Sequence, residues 1–442
     1  MRWFPSRWCV LAAVTALAAS GCKPRDAPPT TEPSARAAAT ATASKSAPSA
    51  RVHEYEVLSQ VYHVDDIYKS MRGPQSTEHV ALRPGAPAEL LWIVGFEAVM
   101  VDPTSHKQLS QEFMCHTNLD IDPVKHGALF AGNKRISGRL FTLSQGQYRI
   151  DLPAGFGLPI LSSEVMDLNT QVLNLNVPDI KRNVRHRIVM RYVRDRELTT
   201  PMKALYSAGA YGLKLLTGQD GHYGRHSQQQ PAAANAAAAK APDHAHQHSA
   251  AAVNEAPEHG PGCLPGENAG HNVFDDNEGR EFTGHWVVKP GREVNHTRVT
   301  QLMDLPFDTT LHYVAVHLHP FGESLELRDL TTGKRVYKAY TRQAKQGLGL
   351  AHVDFYSSQQ GMPLFKDHEY EIISVYNNTS GEDQDSMAVM NMYVLDKEFR
   401  KPNLENLRNP PAATRASAAP SPSAAPSPSA APSPSAASTT DE

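Results

Sequence analysis

The stretch Thr310-Leu-His-Tyr-Val-Ala-Val-His-Leu-His319 decides how this chain is read. It is rich in β-branched and aromatic residues, holds neither Gly nor Pro, and is closed by Pro320 and Gly322. That pattern predicts a β-strand ending in a turn. Successive side chains on a strand point to opposite faces, so His317 and His319 leave the same face. His312 lies an odd number of residues from both, and an unbroken strand turns it to the other side. A His-x-His pair on one face offers two neutral imidazole nitrogens to a single metal ion.

Segments of the same kind surround it. Downstream of residue 262 they are His285-Trp-Val-Val288, Ser324–Arg328, Tyr370–Tyr376 and Met387–Leu395. Upstream they are Glu89–Val101, Arg149–Leu152, Thr170–Asn176 and His186–Val193. Helical periodicity is confined to about Met202–Leu216. Many short strands punctuated by Gly, Pro and Asn predict an all-β chain built as two antiparallel β-sandwich domains, 52–218 and 262–400. A loose internal likeness, Gly155-Phe-Gly-Leu-Pro159 with Thr170–Asn176 against the His317/His319 strand with Arg328, favours two similar sandwiches over one large one.

The remaining sequence is of another character. Of 442 residues, 33 are proline, concentrated with Ala, Ser and Thr in a tether (22–51), a tail (401–442, repeating Ser-Ala-Ala-Pro-Ser-Pro) and an Ala-rich insert (219–261). Such composition buries too little apolar surface to offset chain entropy and predicts disorder. Residues 1–21 have a basic start, an apolar stretch and small residues before Cys22, the pattern of a secretory signal. Ala19-Ser20-Gly21-Cys22 resembles a bacterial lipobox, so Cys22 is expected to carry lipid and hold the protein on a membrane of the bacterial cell envelope. With 43 basic against 46 acidic residues, there is no positive excess to neutralise phosphates, and no nucleic-acid partner is expected.

Beyond the histidine pair, Asp383-Gln-Asp-Ser-Met-Ala-Val-Met-Asn-Met-Tyr393 places Met387 where a polar loop enters an apolar strand, with Met390 and Met392 expected in the core. Imidazole with thioether favours copper, since soft sulfur stabilises Cu(I). Taken in order, His317-Leu-His319-Pro-Phe-Gly322, Phe355-Tyr356, Tyr370–Asn378 and Asp385-Ser-Met387-Ala-Val-Met-Asn-Met-Tyr393 resemble the catalytic domain of the copper type II, ascorbate-dependent monooxygenases. Peptidylglycine α-hydroxylating and dopamine β-monooxygenases are the familiar members. The resemblance is clearest over 280–396. It implies jelly-roll-like sandwiches and a copper held by His317, His319 and Met387. It also implies O2-dependent C–H hydroxylation of a small-molecule or peptide substrate, driven by an external reductant.

The family's second copper takes three histidines from the first domain. Here Met114-Cys115-His116 offers one, and Leu173 stands where another belongs, so the resemblance implies one copper ion, with a second held only if Cys115 and His116, helped by His126 or His79, form a reduced site. Cys115 has a competing role, a disulfide with Cys263, which the oxidising compartment favours. His285, His296 and His352 are candidates to orient ligand imidazoles. In the insert, His244, His246 and His248 are clustered imidazoles able to capture metal. No nucleophile elbow, phosphate-binding loop, dinucleotide motif or His-Glu-x-x-His helix is present. Two functions therefore stand: a copper-dependent monooxygenase, or a non-catalytic copper lipoprotein that buffers or delivers the ion.

Overall fold

Strands account for most of the regular structure in the computed structural model, which describes residues 51–69, 72–83, 87–130, 136–216, 222–224, 273–276 and 278–404. The signal and tether up to residue 50 with Cys22, nearly all of the insert with His244, His246 and His248, Cys263, and the tail beyond 404 lie outside the described residues.

The first half of the chain forms β1 (Val52–Leu58), β2 (Tyr62–Val64), β3 (Gln75–Val80), β4 (Leu90–Val101), β5 (Met114–Ile121), helix α1 (Pro123–Phe130), β6 (Arg139–Ser144), β7 (Arg149–Asp151), β8 (Phe156–Leu161), β9 (Met166–Val172) and β10 (Arg182–Arg194). The sheet β1-β10-β4-β8 faces the sheet β3-β9-β5-β6. After β11 (Lys203–Tyr211) and β12 (Lys214–Leu215) come β13 (Val273–Asp275), β14 (Glu281–Thr283), β15 (His285–Val288), β16 (Gly291–Arg298), helix α2 (Thr300–Met303), β17 (Thr309–Leu318), β18 (Gly322–Asp329), β19 (Lys334–Gln343), β20 (Leu350–Val353), β21 (Tyr356–Leu364), β22 (Tyr370–Asn378) and β23 (Gln384–Leu395). Here β15-β23-β17-β21 is one layer and β16-β22-β18-β19-β20 the other.

Numbering the eight main strands of each half in chain order, both halves have one sheet ordered first–eighth–third–sixth and the other second–seventh–fourth–fifth. That is the jelly roll, two interlocked Greek keys. The predicted all-β fold of two sandwiches is what the chain adopts. The internal equivalence differs from the one read in the sequence. The His317/His319 strand, β17, corresponds to β4, while Thr170–Val172 belongs to β9, the counterpart of β22.

Met202–Leu216 is strand, not helix. β11 pairs parallel with β8 and antiparallel with β23, joining the two sandwiches in one continuous sheet. Ala204 to Ala210 are all buried, so both faces are covered and the period-two signature of a half-buried strand is absent. His312 also departs from its expected face. β17 is bulged between Leu311 and Tyr313. Leu311 and Val314 sit in the second sandwich's core, whereas Tyr313 joins the first, and His312 stacks on Phe156 of the first sandwich at 4.2 Å. The extra residue resets the alternation.

β17 and β23 therefore carry two cores. Val314, Val316, Leu318, Ala388, Met390 and Met392 fill the second sandwich, as expected for the two methionines. Tyr313, Ala315 and Tyr393, from the opposite face, pack into the first. Two polar contacts tie this junction: the Tyr393 hydroxyl donates to the Leu140 carbonyl at 2.8 Å, and the Gln147 side-chain oxygen accepts from the Val316 N–H. At about 1.5–3 kcal/mol for each large apolar side chain removed from water, this face fixes the sandwiches against each other. It is also the face that carries the histidines.

Candidate metal centre

Strand register assembles the site. On one side of β23, β15 places His285 opposite Met387 and Val287 opposite Asp385. On the other side, β17 places His317 opposite Val389 and Leu318 opposite Ala388, so the next rung brings His319 towards Met387. Directly opposed residues of antiparallel strands share a face. His285, His317, His319, Asp385 and Met387 thus project from one patch of sheet, the face turned to the first sandwich.

Within the patch, one ligand atom each from His285, His319 and Asp385 lies within 4.8 Å of the others. His285 Nε2 is 2.5 Å from Asp385 Oδ1, and His319 Nδ1 is 3.4 Å from Oδ2. The His319 ring meets His285 and His317 edge-on, at 5.6 and 5.1 Å between centroids. His285 is fully buried, and His317 and His319 are 8% and 5% exposed. Both ring nitrogens of His285 and both carboxylate oxygens of Asp385 lack hydrogen-bond geometry to any partner. Close approach without an aligned N–H is the arrangement of donors around a shared cation, and these residues fit a bound metal ion on that ground.

Electrostatics agree. Burial alone raises the Asp385 carboxyl, but His285 and His319 at its two oxygens bring it well below the usual carboxylate range. His317 is held far below its ordinary value by burial, then by His319, His116 and His285. A neutral imidazole at His317 and an ionised carboxylate at Asp385 are protonation states that suit a cation.

Two neighbours hold the ligand strands. Ser144, at the end of β6, is hydrogen-bonded through Oγ to His317 Nδ1 at 2.8 Å, fixing that ring from the opposite sandwich. Tyr376 reaches across the second core from β22. Its hydroxyl accepts from the His319 N–H at 3.2 Å and donates to the Met387 carbonyl. The phenol stands where the next ladder hydrogen bond between β17 and β23 belongs, so it ends the ladder at the site. Burial pushes its ionisation well up, and it remains a donor at working pH.

The other residues singled out in the sequence are dispersed. His116 lies opposite Ser144 on β5, just after a bulge at Cys115. It is depressed to about 3 by burial, then by Arg139, His186 and His319, which brings it within electrostatic reach of the cluster. Cys115 is buried against Leu173. His126 is on α1, beyond the other end of β5; five residues of extended chain from His116 to Ile121 span about 16 Å, and its ring is bonded to Glu164 at 2.8 Å. His79 pairs with Asp167, His296 with Glu371 and His352 with Asp354, each outside the patch. Asp385 carried no signal of its own in the sequence, and His285 stood only as an orienting candidate. Their pairing joins positions 100 apart through register alone.

No known family profile and no curated protein matches the chain. Among solved structures it is similar to a recombinant peptide:N-glycanase F (TM-score 0.31, 10% identity, covering 77% of this chain and 95% of that one). A structure of peptide-N(4)-(N-acetyl-β-D-glucosaminyl) asparagine amidase gives 0.30 and 8%, covering 79% and 99%. The CUB1-EGF-CUB2 domains of rat MASP-1 give 0.15 and 10%, covering 76% and 96%.

Proposed function

We propose that this chain is an envelope-anchored copper protein, tethered through Cys22, whose ion is a resident cofactor for O2-dependent oxidation of C–H bonds. Copper supplies the one-electron and oxygen chemistry, and an external reductant supplies electrons. The observation that carries the reading is the patch of sheet on which His317, His319 and Met387, the residues of the monooxygenase resemblance, stand with His285 and Asp385, the three histidines buried and the other two partly so. A site that hands its ion to a partner needs exposed ligands. These imidazoles are enclosed between two sandwiches, which favours a retained cofactor over buffering or delivery.

The chain's own residues account for the environment. The core on both sides of β17 and β23 excludes water, Ser144 sets the orientation of His317, and Tyr376 sets the spacing of His319 from Met387. With one histidine, His116, where the family uses three, the reading is of one tightly held copper. Copper stoichiometry together with reductant-driven oxygen uptake tests it. One ion per chain with oxygen consumption above that of free copper is the expected result. One ion with no uptake selects the delivery reading, and no bound copper rejects both.

A further inference from the structure

Resting on that copper reading, we propose that the ion's close ligands are His285, His319 and Asp385, so that a carboxylate takes the place the monooxygenase resemblance gives to the Met387 sulfur. Three observations converge. Donor atoms of this trio, drawn from three adjacent strands, lie within 4.8 Å of one another. Ligand atoms about 2.0–2.1 Å from a common ion, at right or tetrahedral angles, stand about 3 Å apart; the separations of 2.5 and 3.4 Å from Asp385 to the two imidazoles bracket that value. Finally, all four side-chain heteroatoms of His285 and Asp385 are buried without a hydrogen bond. Such groups are costly to bury and are satisfied together by one cation.

His317 Nδ1 is bonded to Ser144 in the first sandwich and its ring flanks His319, whereas His319 Nδ1 turns to Asp385, 3.3 Å from its backbone oxygen as well as 3.4 Å from its carboxylate. Met387 shares the face, opposite His285. An anionic oxygen in place of a neutral thioether shifts the site towards divalent ions: it favours Cu(II) over Cu(I) and admits other borderline cations that two histidines and a carboxylate hold.

The experiment measures copper per chain, after dialysis of the full-length protein loaded with Cu(II), for wild type, His285→Gln, Asp385→Asn, His317→Ala and Met387→Ala, with circular dichroism to establish folding and Cu(II) electron paramagnetic resonance of every form that retains metal. The proposal expects wild type and Met387→Ala to keep one ion with closely similar spectra, and folded His285→Gln and Asp385→Asn to lose at least tenfold in affinity. If either of these two variants unfolds, the spectra decide: an unchanged signal in Met387→Ala supports the carboxylate set, a changed one overturns it. Loss of the ion in His317→Ala and Met387→Ala with retention in the other two overturns this ligand set and leaves the copper reading intact. Absence of copper from the wild type overturns both.

Discussion

Replacing Tyr376 with phenylalanine removes one oxygen atom and with it two hydrogen bonds at the end of the β17–β23 ladder. The phenol is 2% exposed, and its hydroxyl joins the His319 N–H to the Met387 carbonyl. A hydrogen bond contributes about 0.5–1.5 kcal/mol net, and a buried group left without a partner costs about 1–3 kcal/mol. With two backbone groups affected and partial closure of the strands, the loss is about 2–4 kcal/mol. Two-state urea unfolding of the metal-free protein measures it. Copper affinity should fall too, because closing the ladder draws His319 towards Met387 and away from Asp385, and competition titration with a chelator reads that change. A loss below about 0.5 kcal/mol with unaltered affinity would refute the idea that this hydroxyl sets the spacing of the ligand strands.

Three further outcomes follow from the structure. His186 is fully buried in the first core, and burial holds it near 3 against about 6.5 in an unfolded chain. Below pH 6.5 the unfolded state binds the extra proton, so this histidine costs the metal-free protein about 2 kcal/mol between pH 7 and pH 5; His186→Asn should flatten the pH dependence of the urea midpoint by that amount, and an unchanged slope contradicts the assignment. Gly146 has φ +86°, and a Cβ there would stand 2.9 Å from the Val353 side chain and 3.0 Å from the His352 backbone. Gly146→Ala should lower stability by about 1–3 kcal/mol through strain where the sandwiches meet, and a thermal midpoint equal to wild type would count against that contact. Alanine at His244, His246 and His248 should remove only weak, readily dialysed copper and leave the tight ion in place; loss of the tight ion would locate the site in the insert.

Much of the fold was legible because the strands are short apolar runs rich in β-branched and aromatic residues between turn signals. The long apolar segment now seen as β4, the His-x-His strand β17 and the Met387 strand β23 are each strands where that reading puts them, although their faces are largely covered on both sides. β11 was not, since Lys203–Tyr211 is equally covered but holds no β-branched residue, and the Ala and Leu content of its surroundings imitates a helix. His312 was misplaced by one bulge residue that no local pattern announces. The site was half legible. His317 and His319 declare a shared face through their spacing, and Met387 is marked by its place where polar sequence gives way to an apolar run, although β23 already begins at Gln384. Asp385 and His285 acquire meaning only from the pairing of β15 with β23, and Tyr376 only from the distance its ring spans between layers.

The account turns on His319, which belongs to the ligand set implied by the family resemblance and to the one drawn from the geometry. Copper per chain, measured after dialysis for wild type and for folded His319→Ala, tests it most directly. One ion in the wild type and none in the variant is the predicted result; equal copper in the two, or none in either, contradicts it.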